Sequence, residues 1–315
     1  MLKYCLKRLC FVLLTLLLSS IIIFVATQVL PGDVAQMILG RFARPEAVEA
    51  LRVKLGLNEP IAVQYVTWLS NFVQGDWGLS LSTNNSPVAP LVWARLKNSG
   101  ILALVAFVIY VPGGILLGLW AALRRNKIPD HVISVTSLSL IGLPEFVTGV
   151  ILIAIFSLKL GWLPPSSSIS PSDGFIAILP KLVLPAVTAA LVSLAYITRM
   201  TRASTVEALH SDYVRTAYLK GLSPRQVLFR HVLRNALMPT VTVSAISIGW
   251  LMGGLVVTES LFSYPGLGRL LLFAIQRRDL PLIQATTLLM TAIFCLSNML
   301  ADLLYAYLNP KIRYQ

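Results

Sequence analysis

The sequence predicts an all-α membrane protein with six transmembrane helices, on three observations. Of its 315 residues 56% are hydrophobic and only 12% charged, and the mean hydropathy is +0.77, far too apolar for a soluble domain. Several charge-free runs reach the roughly 20 residues that a helix needs to cross a bilayer, among them 22 residues at 9–30 and 24 at 100–123. A soluble helical protein does not carry core helices of that kind. Positive charge, finally, gathers in a few short polar segments between the runs.

Lys3, Lys7 and Arg8 precede the first run. A basic start before an apolar run is also the layout of a cleaved signal peptide. The run is long for one, and no clean small-x-small site follows before Pro31-Gly32-Asp33, so an uncleaved span is expected. Residues 31–98 have soluble character. Arg44, Glu46, Glu49, Arg52 and Lys54 mark a surface helix within 41–57. Ile61, Tyr65, Trp68, Leu69 and Phe72 then recur at helical spacing, as in a helix lying at the membrane interface with Trp68 and Trp77 as aromatic belt residues.

The second span, 100–123, contains Pro112-Gly113-Gly114, residues that bend a helix and let a neighbour come close. A basic turn at 124–131 leads to the third, 132–158, with Pro144-Glu145 near its middle. The Pro/Ser-rich stretch 161–174 cannot continue a helix. The fourth span is short, 182–198. The fifth, 236–258, carries Gly249, Gly253 and Gly254, and the sixth is 280–301. On this reading residues 1–98 hold the first span and an extracytoplasmic amphipathic segment, and 99–315 hold a five-helix core.

Between the fourth and fifth spans lies a basic island, 199–239. From 199 to 235 it has seven Lys or Arg and only two acids, Glu207 and Asp212. Two helices can be read in it. The first covers roughly 203–220, with Gly221 where a left-handed C-terminal cap is wanted. The second begins at Ser223-Pro224, serine at the N-cap and proline at the first helical position, with Gln226 completing a Ser-x-x-Gln capping box. This is a rigid elbow, and basic loops need no such rigidity to satisfy topology. A helix docking in a groove of another protein and an amphipathic segment resting on anionic lipid both fit the composition.

Charge sets the orientation. With both termini inside, the inner segments hold fifteen Lys/Arg against three acids and the outer ones eleven against eight. The positive-inside rule then makes the elbow cytoplasmic. A net charge of +13 therefore reports membrane orientation and anionic lipid, and nucleic acid is not an expected partner.

The text YVRTAYLKGLSPRQVLFRHVLRNALMP resembles the cytoplasmic EAA loop of binding-protein-dependent ABC importer permeases, in the form found in the dipeptide/oligopeptide/nickel branch. Aligned on Gly221, the general Glu-Ala-Ala falls on Arg215, Thr216 and Ala217, of which only Ala217 fits, and Leu233-Arg234 stands where the general pattern has Leu-Pro. Arg-Thr-Ala before Lys-Gly-Leu is the branch's own text. Three further motifs match that branch: Leu55-Gly56-Leu57, Pro60 and Gln64-Tyr65; Gly75-Asp76-Trp77-Gly78-Leu79-Ser80; and the Tyr-Pro-Gly-Leu-Gly-Arg run at 264–269.

The resemblance implies a type I ABC importer permease fold, B-type, in the inner membrane. It implies four kinds of partner: a C-type permease, two ABC ATPases, an extracytoplasmic solute-binding protein and lipid. The solute would be a dipeptide or oligopeptide, or alternatively a nickel chelate. Asp212, Tyr213, Arg215, Ala217, Lys220, Gly221, Leu222, Ser223 and Pro224 would form the ATPase-coupling loop. No Gly-x4-Gly-Lys-Ser/Thr occurs, so nucleotide is not cradled here; no cofactor is expected on this chain, and ATP and Mg²⁺ would sit on the partners. No HExxH or Gly-x-Ser-x-Gly occurs either, the three histidines lack ligand spacing, and the three cysteines form no CxxC, so no metal site or catalytic centre is expected.

Glu145 is the one acid well inside a span. It fits a place on the translocation path, where charged groups face a cavity. It also fits a structural place in the first turn of a helix restarted by Pro144. Trp250 is carried with it as a second path candidate, and Asp302 is expected to anchor the last span. An ion-coupled secondary transporter would want ionisable groups in several spans, or an internal repeat, and neither is visible.

Overall fold

Long charge-free text folds into long helices because every backbone polar group must be satisfied within the segment at bilayer depth. The computed structural model describes residues 2–29, 36, 44–54, 58–169 and 174–308. The Pro31-Gly32-Asp33 text, the Leu55-Gly56-Leu57 motif and the C-terminal Asn309-Pro310-Lys311 lie outside those residues.

Helix α1 (Leu2–Val29) is followed by α2 (Pro45–Lys54) and α3 (Ile61–Val73), then by a two-residue antiparallel ribbon of β1 (Leu79–Ser80) and β2 (Ser86–Pro87). The core helices are α4 (Val88–Leu123), α5 (Ile128–Gly142), α6 (Glu145–Leu152, prolonged by a π-type turn Ile153–Lys159) and α7 (Phe175–Leu209). Next come α8 (Asp212–Leu219), α9 (Pro224–Val227, with a π-type turn Leu228–Val232), α10 (Leu233–Leu261), α11 (Leu267–Arg277) and α12 (Leu280–Leu308). Among the described residues five helices are long and apolar enough to cross a membrane, and α5 with α6 makes a sixth as a pair bent by 112°. Residue 98 lies within α4.

Three expectations change. The third span is two helices, not one: it breaks at Leu143-Pro144, and Pro144 restarts the helix as α6, as one reading of Glu145 required. The pair still crosses the bundle once. Asp130, at the start of α5, binds Arg202 near one end of α7. Ser167, beyond α6, donates to Phe262 O and Lys181 O near the other end of α7.

The fourth span is not short. Helix α7 runs 35 residues into the elbow, roughly 50 Å at 1.5 Å per residue. Its prolines do not end it. Pro185 cannot donate to Lys181 O, and that carbonyl instead accepts the Ser167 hydroxyl at 2.5 Å. Past 198 the polar text stays helical with its hydroxyls satisfied, Thr198 donating to Leu194 O and Ser204 to Met200 O.

The single elbow helix expected over 203–220 is two, because the chain turns at His210-Ser211. Ser211 takes an extended φ/ψ of −75°/151° at the N-cap of α8, and its hydroxyl donates to Ala208 O.

The main core joins α4, α7 and α10 through Leu102, Ala106, Tyr110, Ala186, Ala190, Ile197, Leu251 and Leu255. Small residues bring α4 against α7: a Cβ at Gly114 would lie 2.7 Å from Ile197 Cγ2, and one at Gly118 2.5 Å from Thr198 O. Helix α1 packs antiparallel to α12, with an Arg8–Asp302 ion pair at one end (2.9 Å) and Gln284 donating to Thr27 at the other (2.7 Å). The expected interfacial helix, α3, is tied in by neighbouring aromatic rings running Phe24, Tyr65, Trp68, Phe72, Trp77 and Trp93.

Candidate coupling and translocation site

The elbow is built from local signals. Helix α8 ends in a Schellman motif: Gly221 N donates to Tyr218 O and Leu222 N to Ala217 O, while Gly221 sits at φ +77°. Ser223 then opens α9 with the full capping box, its hydroxyl accepting from Gln226 N and the Gln226 carbonyl accepting from Ser223 N. Pro224 stands at the first helical position, where its missing N–H costs nothing.

Val214 and Ala217, three apart on α8, pack with Ala208, Val227, Val232 and Ala236 into a small separate core against which Leu222 also packs. Ala217 is therefore a packing residue of the elbow and not part of its surface. Asp212, Tyr213, Arg215, Lys220, Gly221, Ser223 and Pro224 are exposed and Leu222 half-buried. Beside them lie large apolar side chains that the motif did not mark: Tyr218, Leu219 at 81% exposure and Phe229 at 66%. Only the fold shows which apolar side chains of the elbow are left outside its core.

The elbow is fastened to the spans on both sides. Helix α7 runs into it unbroken, and α9 continues through its π-type turn into α10. Ser204 donates to Ala236 O (2.8 Å) and Thr201 bonds Thr240 (3.1 Å), joining α7 to α10. Arg202 clamps Asp130 with two N–H groups at 2.5 and 2.7 Å. Asp130, which is 1% exposed, also accepts from Asn126 N. These contacts tie the elbow to α5, α7 and α10.

In the bundle, Glu145 stands in the first turn of α6, half-buried, and accepts a hydrogen bond from Thr258 of α10. A Cβ on Gly254 would lie 2.7 Å from its Oε2, so the glycine makes the room this carboxylate occupies. The broken helix matters here: irregular backbone at membrane depth is tolerated where it is buried in protein or lines a cavity. Trp250 lies one turn before Gly254 on α10, 65% exposed, its ring 6.4 Å from that of Tyr196. Glu145 of α6 thus meets the stretch of α10 that carries Trp250, although no bond joins the two.

At the end of the bundle away from the elbow, two acids missed in the sequence organise the structure. Glu259 is fully buried. It accepts from Ser99 Oγ (2.5 Å), Gly268 N (2.7 Å) and Arg269 N (3.1 Å) at the start of α11. Asp279, 1% exposed, accepts from Ser80 Oγ, Ser82 Oγ and Ser82 N at 2.6–3.0 Å. The Gly-Asp-x-Gly-x-Ser and Tyr-Pro-Gly-Leu-Gly-Arg motifs are thereby parts of one cap: Tyr264 donates to Asn98 O, and Asn98 to Pro265 O.

Known proteins resemble this chain in sequence and in fold. Residues 114–314 match the family described as binding-protein-dependent transport system inner membrane component, and residues 1–98 match the N-terminal part of such membrane components. The glutathione transport system permease protein GsiC of Escherichia coli (strain K12) is 41% identical over 315 residues, covering 100% of both chains. The same-named protein of Shigella dysenteriae serotype 1 (strain Sd197) is also 41% identical over the full length of both. Among solved structures, an amino acid ABC transporter with histidines aligns with 69% of this chain and 94% of its own, at TM-score 0.51 and 18% identity, a likeness of fold.

Proposed function

The chain belongs to the binding-protein-dependent transport system inner membrane components, and on that premise we propose that it imports small peptides as one of two unlike permease subunits. It is a permease subunit of an ABC importer and a multi-pass inner-membrane protein of the type I importer fold. The carrying observation is the elbow, a capped two-helix unit with its own core, an exposed apolar and basic face, and fixed joints to the spans.

In this reading two separate ATPase subunits bind ATP and Mg²⁺ and grip α8 of each permease, helix in groove. Their closure moves α8, and because α7 and α10 grow out of the elbow the spans rock as rigid bodies between inward- and outward-open. An extracytoplasmic binding protein delivers the solute at the end where Glu259 and Asp279 lie. Both chain termini and the elbow face the cytoplasm, in keeping with the positive charge gathered there.

The solute class rests on the resemblance and on the relatives. Glutathione, in the relatives' name, is itself a short peptide, which favours a peptide over a nickel chelate. Glu145 and Trp250 line the path, the carboxylate offering a peptide's ammonium group a partner away from bulk water. The test is uptake by the complete importer in proteoliposomes. Dipeptides, tripeptides and glutathione should compete with one another while a nickel chelate does not; competition by the chelate alone would overturn the peptide reading. Glu145→Gln should raise the KM for peptide at least about tenfold, as for loss of one charged contact, with assembly and basal ATP hydrolysis unchanged.

A further inference from the structure

Beside the Glu259 cap, a cavity of about 260 Å³ opens between the first turns of α4, the turn after β1 and helix α11, lined by Thr83, Leu91, Arg95, Arg269, Leu270 and Phe273. Arg95 is half-buried and has no hydrogen-bond or ion-pair partner among the described residues. Arg269 is exposed and bonds only a backbone carbonyl, that of Ser263, through one of its nitrogens. The two guanidinium groups repel each other. Glu259 acts on Arg95 from beyond ion-pair range, and its oxygens already accept from Ser99, Gly268 and Arg269. Asp279 is likewise engaged by Ser80 and Ser82.

Thr83 completes the wall of this cavity, its Oγ1 closed off from the open space. Two cations lacking a carboxylate partner thus converge on a single space.

We propose that this cavity seats an acidic side chain of the extracytoplasmic binding protein, its carboxylate held by Arg95 and Arg269. Paired guanidinium groups suit a carboxylate, which accepts two N–H groups in a plane. The partner's residue is preferred over the solute's own carboxylate because of the geometry of α10. Thr258, which meets Glu145, and its neighbour Glu259, which faces the α4–α11 side, point to different surroundings. The cavity is thus on the far side of α10 from the path residues. The proposal rests on the importer reading above.

The test uses the complete permease–ATPase assembly in nanodiscs and the purified binding protein that stimulates its ATP hydrolysis. Arg95→Glu with Arg269→Glu should raise the Kd for the binding protein by at least about tenfold and flatten its salt dependence. Arg95→Gln removes no intramolecular bond, so assembly and basal hydrolysis should stay at the wild-type level while Kd rises. Changing one acidic residue on the binding protein to Arg should restore affinity for the doubly substituted permease alone. An unchanged Kd in all three variants overturns the proposal. So does an unchanged Kd with a raised uptake KM, which would assign the carboxylate to the solute. If no binding protein stimulates the wild-type assembly, the importer reading itself falls.

Discussion

The two ends of this molecule are held together by opposite means. The elbow depends on neighbours in sequence: Gly221 with Tyr218, Leu222 with Ala217, Ser223 with Gln226. The cap at the other end depends on residues far apart: Ser99 with Glu259, 160 positions away, and Ser80 with Asp279, 199 away. A locally closed unit that runs without a break into α7 and α10 holds its own shape while it moves with those helices. A unit stitched from α4, α10, α11 and the β1–β2 ribbon by buried carboxylates cannot move without breaking them. The first suits a lever and the second a fixed platform.

The platform is where single changes should cost most. Glu259→Ala leaves the Ser99 hydroxyl and the Gly268 and Arg269 amides without an acceptor in a buried space, a loss of about 3 kcal/mol or more. The assembled permease should melt well below wild type in a thermal unfolding assay; an unchanged Tm would remove the platform half of the comparison.

A smaller cost is expected at Gly221, and of another kind. Nothing lies within 4 Å of a Cβ placed there, so the penalty of Gly221→Ala is that of holding a left-handed φ, about 1 kcal/mol. The permease pair should still form. Binding-protein-stimulated ATP hydrolysis and uptake should fall together in Gly221→Ala and further in Gly221→Asp. Wild-type uptake in both would make the elbow a passive segment resting on lipid.

The least effect belongs to Ser223→Ala. It removes one exposed cap, worth about 1 kcal/mol or less, and should speed amide exchange in α9 while uptake drops only slightly. Equal losses from Ser223→Ala and Glu259→Ala would erase the difference between the two ends.

The same contrast decides what can be read from the sequence. The cap of α9, the glycine after α8 and the restart at Pro144 are signals within a few residues, and all three stand in the structure. The length of α7 is not legible, because the span ending at 198 and the helix read from 203 look like separate elements until the backbone shows one helix running through both. The turn at His210-Ser211 gives no signal because both residues are tolerated within a helix. Glu259 and Asp279 look in sequence like ordinary outer-loop acids. Only folding brings Ser99, Ser80 and Ser82 to them. Arg95, Arg269 and Thr83 share a wall for the same reason.

The central claim is that the free face of α8 is where ATP hydrolysis is coupled to the spans. Leu219, the most exposed large apolar side chain of the elbow, tests it most directly, since it is absent from the elbow's core. In Leu219→Asp, ATPase retention on the purified permease pair and peptide uptake should be measured on the same preparation. The account predicts that the permease pair forms at the wild-type level, that ATPase binding weakens at least about tenfold, and that uptake is lost with it. Full retention of the ATPases together with full uptake would contradict it.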